Sequence, residues 1–311
     1  IAYIPMQMGK LDDTMLPEEQ LGSYTHLLID FAQALKPYLP ANTLCVRFDP
    51  PLDFDTCEDR DFFNNALTNL AFADHLALNK TKTDIQPPDT TVLDITQSED
   101  DMLARMRNKW RYNVHYAEKH GVTVTAYHTG DEGFEEAFNA FYLLDETTSK
   151  RDGNAIHSKT YYRSLLDLSM EKRKTCNAPL VTLYVAEAEG EKIAAIITLF
   201  CRFEAVYLFG ASGNSHRNLM PAYLLQWTAI RDAKKYGCPS YDFYGMPPSD
   251  DPKHPMYGLY LFKTGFGGKI VHRAGAIDVP LSLLYHPYTT AENMRAFYHK
   301  RIVKLFAGRA K

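Results

Sequence analysis

The 311-residue sequence contains no run of 18 apolar residues and no basic-then-apolar leader, which leaves no candidate for a spanning helix or a signal peptide. A soluble, cytoplasmic protein is the expectation. Its five cysteines, Cys45, Cys57, Cys176, Cys201 and Cys238, are odd in number and include no C-x-x-C pair, a pattern of reduced structural thiols rather than a disulfide frame or zinc site. Eleven histidines provide no H-E-x-x-H, and the acidic residues show no EF-hand spacing, so no metal and no cofactor is indicated. Charge of one sign is also lacking. With 34 Lys and Arg against 38 Asp and Glu the formal net charge is -4, so any contact with a polyanion must come from a local basic surface. What is present is apolar content of 45%, enough over this length for a sizeable core and for two domains.

Strand and helix signals alternate along the chain. Ile1-Ala2-Tyr3-Ile4-Pro5 reads as a short strand, Pro17-Glu18-Glu19 starts a helix ending near Pro37, and Thr43 to Asp49 is a strand stopped by Pro50-Pro51. A helix around Asp61 to Ala71 and a strand from Thr91 to Ile95 follow. Ser98-Glu99-Asp100-Asp101 is a capping-box pattern that predicts one helix with Leu103, Met106, Trp110 and Ala117 on a shared face. Two more helices are predicted over 132–148 and 158–172. From Val181 the grammar changes to a meander of three strands, over 181–188, 192–202 and 205–210. Pro221-Ala222-Tyr223 then opens a helix, and Ser240 to Phe243 is a strand.

A unit of strand, loop, proline-started helix and Asp-bearing strand occurs twice, over 1–49 and 206–242. Only the second copy is preceded by a meander, and the chain begins without Met. The first copy is therefore expected to be incomplete at its N-terminus. A meander, helix and strand in this order resembles the core of the GNAT acyltransferase fold. The expected class is α/β (α+β), with two tandem GNAT-like domains over 1–90 and 91–280 and a C-terminal helical segment over 281–311.

Four strings in order resemble the Fem family: Val46-Arg47-Phe48-Asp49-Pro50; Gln86-Pro87 leading to Val92-Leu93-Asp94; Lys109-Trp110-Arg111-Tyr112-Asn113 before Ala117-Glu118; and Phe262-Lys263-Thr264-Gly265-Phe266-Gly267-Gly268. The resemblance implies a tRNA-dependent aminoacyltransferase that adds an amino acid to the stem-peptide amine of a peptidoglycan precursor, lipid II or UDP-MurNAc-pentapeptide. It also implies a channel for the charged 3′ end of an aminoacyl-tRNA. Residue by residue, Lys263 and Phe262 match the pair implicated at the acyl-transfer site, Asp49 matches a proposed catalytic aspartate, and Tyr161 matches a tyrosine that contacts the precursor's phosphates. His157 stands where the family places a phosphate-binding arginine, and Phe209 where it places a tyrosine. No long coiled-coil arm fits between Ser158 and Cys176, which suggests the compact form of the family.

An aminoacyl ester is already activated, so the chemistry needed is attack by an amine through a tetrahedral oxyanion. Lys263 can supply a cation for that oxyanion, and Gly265, Gly267 and Gly268 can let a backbone approach substrate closely. The bland alternative is an exposed lysine at a strand end. Asp49 can accept a proton or merely end its strand. Arg105, Arg107, Lys109 and Arg111 place four cations within seven residues of one predicted helix, either to bind tRNA phosphates or as a solvated face paired with Asp101 and Glu118. The C-terminal stretch with Arg295, Lys300, Arg301, Lys304, Arg309 and Lys311 reads as a basic amphipathic helix, docked on the protein itself or in peripheral contact with the inner membrane surface. Two other classes stay open. A CoA-dependent GNAT acetyltransferase would need glycines where Arg217-Asn218-Leu219-Met220-Pro221-Ala222 stands, and a degenerate module would bind precursor or tRNA without turnover.

Overall fold

The computed structural model describes residues 1–5, 17–153 and 155–297, and the chain divides into two compact units. Unit 1 comprises Ile1–Asp89 and the described residues from Val271 on; unit 2 is Thr90–Ile270. The described residues from Val271 on thus group with unit 1.

In unit 1, β1 (Ala2–Pro5), α1 (Pro17–Leu35) and β2 (Cys45–Asp49) form the first copy of the repeat. They are followed by β3 (Asp53–Phe54), α2 (Cys57–Ala73) and β4 (Asn79–Lys80). The side chain of Thr56 caps α2 by accepting from Asp59 N–H at 3.0 Å. β1 and β2 lie parallel from Ala2 against Val46 to Pro5 against Asp49, as strands joined through a helix should. Leu21, Tyr24 and Leu28 of α1 and Phe63 and Leu67 of α2 bury against Val46 and Phe48, and this apolar layer is the core of the unit.

Unit 2 begins within β5 (Asp89–Asp94), at Thr90, and continues with α3 (Glu99–Arg105), α4 (Asn108–Lys119) and β6 (Thr123–Tyr127). Next come α5 (Phe134–Asp152), α6 (Lys159–Arg173) and the meander of β7 (Leu180–Ala188), β8 (Glu191–Phe200) and β9 (Ala205–Ser212). The second copy of the repeat closes with α7 (Pro221–Tyr236) and β10 (Ser240–Asp242), and α8 (Tyr257–Thr264) ends the unit. The sheet order is β5-β10-β9-β8-β7-β6, with β9 and β10 parallel. One face packs on α4 and α7 through Val114, Leu225 and Ile230, the other on α5 and α6 through Phe138, Phe141 and Leu166. A sheet covered on both faces explains why β7 and β8 are buried nearly throughout rather than alternating.

The chain then runs through β11 (Lys269–Arg273) and β12 (Ile277–Pro280) to α9 (Tyr285–Phe297). In unit 1, β12 pairs antiparallel with β2 and β4, giving the order β1-β2-β12-β4. Among the described residues no helix is long and apolar enough to cross a membrane. Met294 and Arg295 of α9 are exposed; Lys300, Arg301, Lys304, Arg309 and Lys311 lie outside the described residues.

The predicted single helix after Ser98 is two. Ser98 does cap its start, accepting from Asp101 N–H at 3.1 Å, but Met106 adopts extended backbone and α4 restarts at Asn108. The break has a tertiary cause, because Arg107 N–H donates to Gly265 O at 2.9 Å and not into a helical ladder.

Candidate functional site

Phe262 and Lys263 lie in the last turn of α8, so they belong to a helix and not to a strand end. Lys263 is 5% exposed, which removes the bland reading of a solvated lysine. Its Nζ donates to three consecutive backbone carbonyls: Phe243 O at 2.6 Å, Tyr244 O at 3.2 Å and Gly245 O at 2.7 Å. All three ammonium donors are thereby used without a hydrogen-bonded carboxylate. Burial pushes the lysine down to about 7, opposed by the nearby Asp242 charge, while the carbonyl bonds favour the ammonium.

The carbonyls converge because the chain turns sharply after β10. Tyr244 has φ of 61°, a left-handed value uncommon for a non-glycine residue. Asp242 holds that turn by accepting from Tyr244 N–H at 2.6 Å and from the Thr90 hydroxyl. β10 meets β9 over only two residue pairs, Tyr241 with Ala205 and Asp242 with Val206, whereas β9 continues to Ser212. The parallel strands part there. Lys263 Nζ sits between them, bonded to the carbonyls beyond β10 and 5.1 Å from the centre of the Tyr207 ring on β9. The Tyr207 ring lies along its own strand over Gly210, where a Cβ would come within 1.8 Å of the phenol oxygen. Burial pushes this phenol up to about 12, so it stays neutral near pH 7. Neither Tyr207 nor Gly210 was a sequence candidate; their only sequence signal is an aromatic two residues before Phe209-Gly210.

Phe262 packs edge-on against Tyr223 and Phe266, with ring centres 5.3 and 5.4 Å apart, and its carbonyl accepts from Trp110 Nε1–H at 2.8 Å. The glycines after Lys263 serve the protein's own packing and not substrate approach. A Cβ on Gly265 would lie 2.3 Å from the Trp110 ring, one on Gly267 2.7 Å from Arg105 O, and one on Gly268 2.7 Å from Thr91 Oγ1. The break between α3 and α4 is therefore clasped to the segment that carries Lys263.

That break is where the basic cluster sits. Arg105, Arg107 and Lys109 are exposed, and none of them forms an ion pair with a described residue. Asp101 and Glu118, their expected partners, instead bond Ser98 and pair with His115. Arg111 differs, donating to Leu103 O at 3.1 Å and Asn108 Oδ1 at 2.9 Å, so it staples α3 to α4.

His157, Tyr161 and Phe209 come together as one aromatic group. The His157 and Tyr161 rings stack 4.2 Å apart, and Phe209 stands edge-on to both at 5.7 and 6.3 Å. Beneath them Tyr162 is buried and donates to Asp145 Oδ2 at 2.8 Å. His157 and Tyr161 are open to solvent. A register shift between β8 and β9 separates this group from Lys263: opposite Ile197 and Thr198 stand Phe209 and Tyr207, with Leu208 extra. Tyr207 thus packs with the α7 face and Phe209 with the α5 face, though they are two residues apart.

Asp49 belongs to unit 1. It is 2% exposed, accepts from Tyr3 Oη–H at 3.0 Å and from the Gln86 backbone, and burial raises its carboxyl above the usual range. Its surroundings are those of a buried strand-end acid satisfied by its own fold. At the start of α7 the chain passes through left-handed His216 and Met220, with φ of 50° and 57°, into Pro221, which has no N–H to offer a phosphate. The structure also gathers Cys57, Asp89 and His272, which no sequence spacing signalled.

The family model for the FemAB family matches this chain over residues 23–183 and 169–293. The lipid II:glycine glycyltransferase of Staphylococcus saprophyticus is 24% identical over 84% of the chain and 74% of that protein. That of Staphylococcus aureus is 22% identical over 85% of the chain and 74% of its own length. Among solved structures, the crystal structure of FemX superposes with a TM-score of 0.69 at 19% identity, covering 93% of this chain and 82% of FemX. The C-terminal domain of a putative lysylphosphatidylglycerol synthetase from Agrobacterium fabrum follows with a TM-score of 0.52 at 12% identity, over 88% and 78% of the two chains.

Proposed function

The chain belongs to the FemAB family, with the expected architecture of two tandem GNAT-like units, and on that premise we propose that it transfers an amino acid from aminoacyl-tRNA to the stem-peptide amine of a peptidoglycan precursor. The named relatives act on lipid II with glycine, which supports the precursor as acceptor. The observation that carries the reading is Lys263, a buried cation in the gap where β9 and β10 part.

In the reaction the acceptor nitrogen attacks the ester carbonyl, a C–N bond forms, the bond to the ribose oxygen breaks, and the amine proton passes to that leaving oxygen. An acceptor amine with a pKa near 10.4 is neutral in only about one part in 2,500 at pH 7, so positioning and desolvation must help. Lys263 turns one N–H from a carbonyl to the oxyanion as it develops. Phe262, fixed by Trp110 and Tyr223, walls the acyl position. Arg105, Arg107 and Lys109 hold tRNA phosphates, and because their turn is clasped to Gly265 and Gly267 they present the acceptor end in register with Lys263. The aromatic group of His157, Tyr161 and Phe209 receives the precursor, with stacking and one imidazole in place of a guanidinium.

Mass spectrometry of lipid II or UDP-MurNAc-pentapeptide incubated with total charged tRNA tests this directly. The acceptor should gain the mass of one or more aminoacyl residues, in a manner abolished by ribonuclease. Binding of either substrate without a mass increase would instead assign a non-catalytic binding module, and a gain dependent on acetyl-CoA would overturn the tRNA reading.

A further inference from the structure

We propose that Cys57, Asp89 and His272 of unit 1 form a binding site for a divalent cation of the zinc type. Cys57 is the first residue of α2, Asp89 is the last residue of unit 1 before the chain leaves it, and His272 lies on β11 just after the chain returns. His272 Nδ1 stands 3.3 Å from Cys57 Sγ and 2.7 Å from Asp89 Oδ1, and the three donor atoms all lie within 4.8 Å of one another. Asp89 and His272 are buried, at 7% and 5% exposure.

One thiolate, one imidazole and one carboxylate match the ligand preference of zinc, and three protein ligands leave a fourth position open. With bonds of about 2.0 to 2.3 Å, a tetrahedral ion separates its ligand atoms by roughly 3.3 to 3.5 Å. The sulfur-to-nitrogen distance already agrees. The His272–Asp89 contact is a hydrogen bond that must open by several tenths of an ångström as the ion takes its place between Nδ1 and the carboxylate. With Nδ1 on the ion the single proton of the neutral imidazole stands on Nε2, so binding releases the thiol proton of Cys57. Arg60 is placed as an outer partner, donating to Asp89 Oδ1 at 2.7 Å and balancing the carboxylate when no ion is bound. A cavity of about 410 Å³ bordered by Arg60, Asn64, Asp84 and Asp89 leads to the carboxylate side of the group. The arrangement is not a nucleophilic triad, because sulfur and carboxylate approach the same ring nitrogen. An ion here would tie the exit and return of the chain to the start of α2, so its effect is on the stability of unit 1 and does not depend on the transfer reaction.

The test uses the full chain, stripped with a chelator and titrated with Co²⁺ and then Zn²⁺. One equivalent of Co²⁺ should bind and show a near-ultraviolet thiolate-to-metal absorption that zinc abolishes. Cys57→Ser should remove the absorption and weaken zinc by about 10-fold or more, Arg60→Gln should weaken it by about 10-fold, and Cys176→Ser should change neither. Zinc should raise the melting temperature of the natural chain but not of Cys57→Ser. Uptake well below one equivalent, or Co²⁺ binding unchanged in Cys57→Ser, would overturn the proposal and leave the group as a hydrogen-bonded network around Arg60.

Discussion

Both units contain the same piece of topology, two parallel strands joined through a helix with an aspartate near the end of the second strand, yet the charged groups around the two strand pairs are met differently. In unit 1, β1 and β2 stay paired as far as Pro5 and Asp49, and the aspartate is satisfied by Tyr3 from the neighbouring strand. The other charges there are closed too: Arg47 forms a two-pronged pair with Asp278 at 2.7 and 2.8 Å, and Tyr285 adds a third bond to that carboxylate. In unit 2, β9 and β10 part after Asp242, and the gap holds Lys263, a cation met by backbone carbonyls alone among its hydrogen-bond acceptors. Under the proposed function the chemistry is assigned to the buried Lys263 and not to the repeated aspartate.

The comparison breaks most visibly if the charge in the gap is removed. Lys263→Met should slow single-turnover transfer by a factor on the order of 100 to 1,000 with little change in precursor affinity, measured with saturating charged tRNA. Asp49→Asn, the matching change in unit 1, should leave that rate within about threefold while lowering stability by about 1–3 kcal/mol in denaturant unfolding. A rate loss for Asp49→Asn as large as for Lys263→Met would erase the distinction between the units.

Glycines sharpen it next. Gly265→Ala drives a methyl into the Trp110 ring and should cost about 1–3 kcal/mol. Gly22 in the interior of α1 has nothing within 4 Å, so Gly22→Ala should stabilise by about 0.5–1 kcal/mol. Chemical denaturation of both variants reads the two signs, and a neutral Gly265→Ala would mean that the clasp onto the basic turn is loose.

Much of this fold is legible in the sequence because its signals are local. Proline opens α7, Ser98 and Ser158 cap their helices, and β7 to β9 follow each other through short turns. The illegible parts have tertiary causes. Leu259-Tyr260-Leu261-Phe262 is an apolar, aromatic run whose composition suits a strand as well as a helix, and nothing in it shows that Lys263 will find three carbonyls from a turn about 20 residues earlier. No glycine or proline marks the break at Met106 and Arg107, because its cause is Gly265, far along the chain. The opposite facing of Tyr207 and Phe209 depends on one extra residue in β9, which the alternation of a strand conceals.

The smallest expected effect concerns the basic turn. Replacing Arg105, Arg107 or Lys109 by Ala should reduce the log–log salt slope of tRNA binding by roughly 0.7 to 0.9 each. Arg111→Ala should lower stability and leave the slope nearly unchanged, since its guanidinium is bonded to Leu103 and Asn108. Equal slopes for all four variants would return the cluster to a solvated surface.

The central claim is that Lys263 works as a cation, and the pH dependence of single-turnover transfer tests it most directly. Lys263 is charged below about 7 and neutral above it, whereas the acceptor amine gains its neutral form steadily up to about 10.4. If the charge is what the reaction uses, log rate should rise by about one per pH unit up to about 7 and then level off, as the growing fraction of neutral amine is offset by loss of the cation. Lys263→Arg, whose charge persists, should be slower near pH 7 but keep rising with unit slope above it. A natural chain that climbs with a slope near two below pH 7 and near one above it would show a neutral lysine accepting the proton, and would contradict the cationic role.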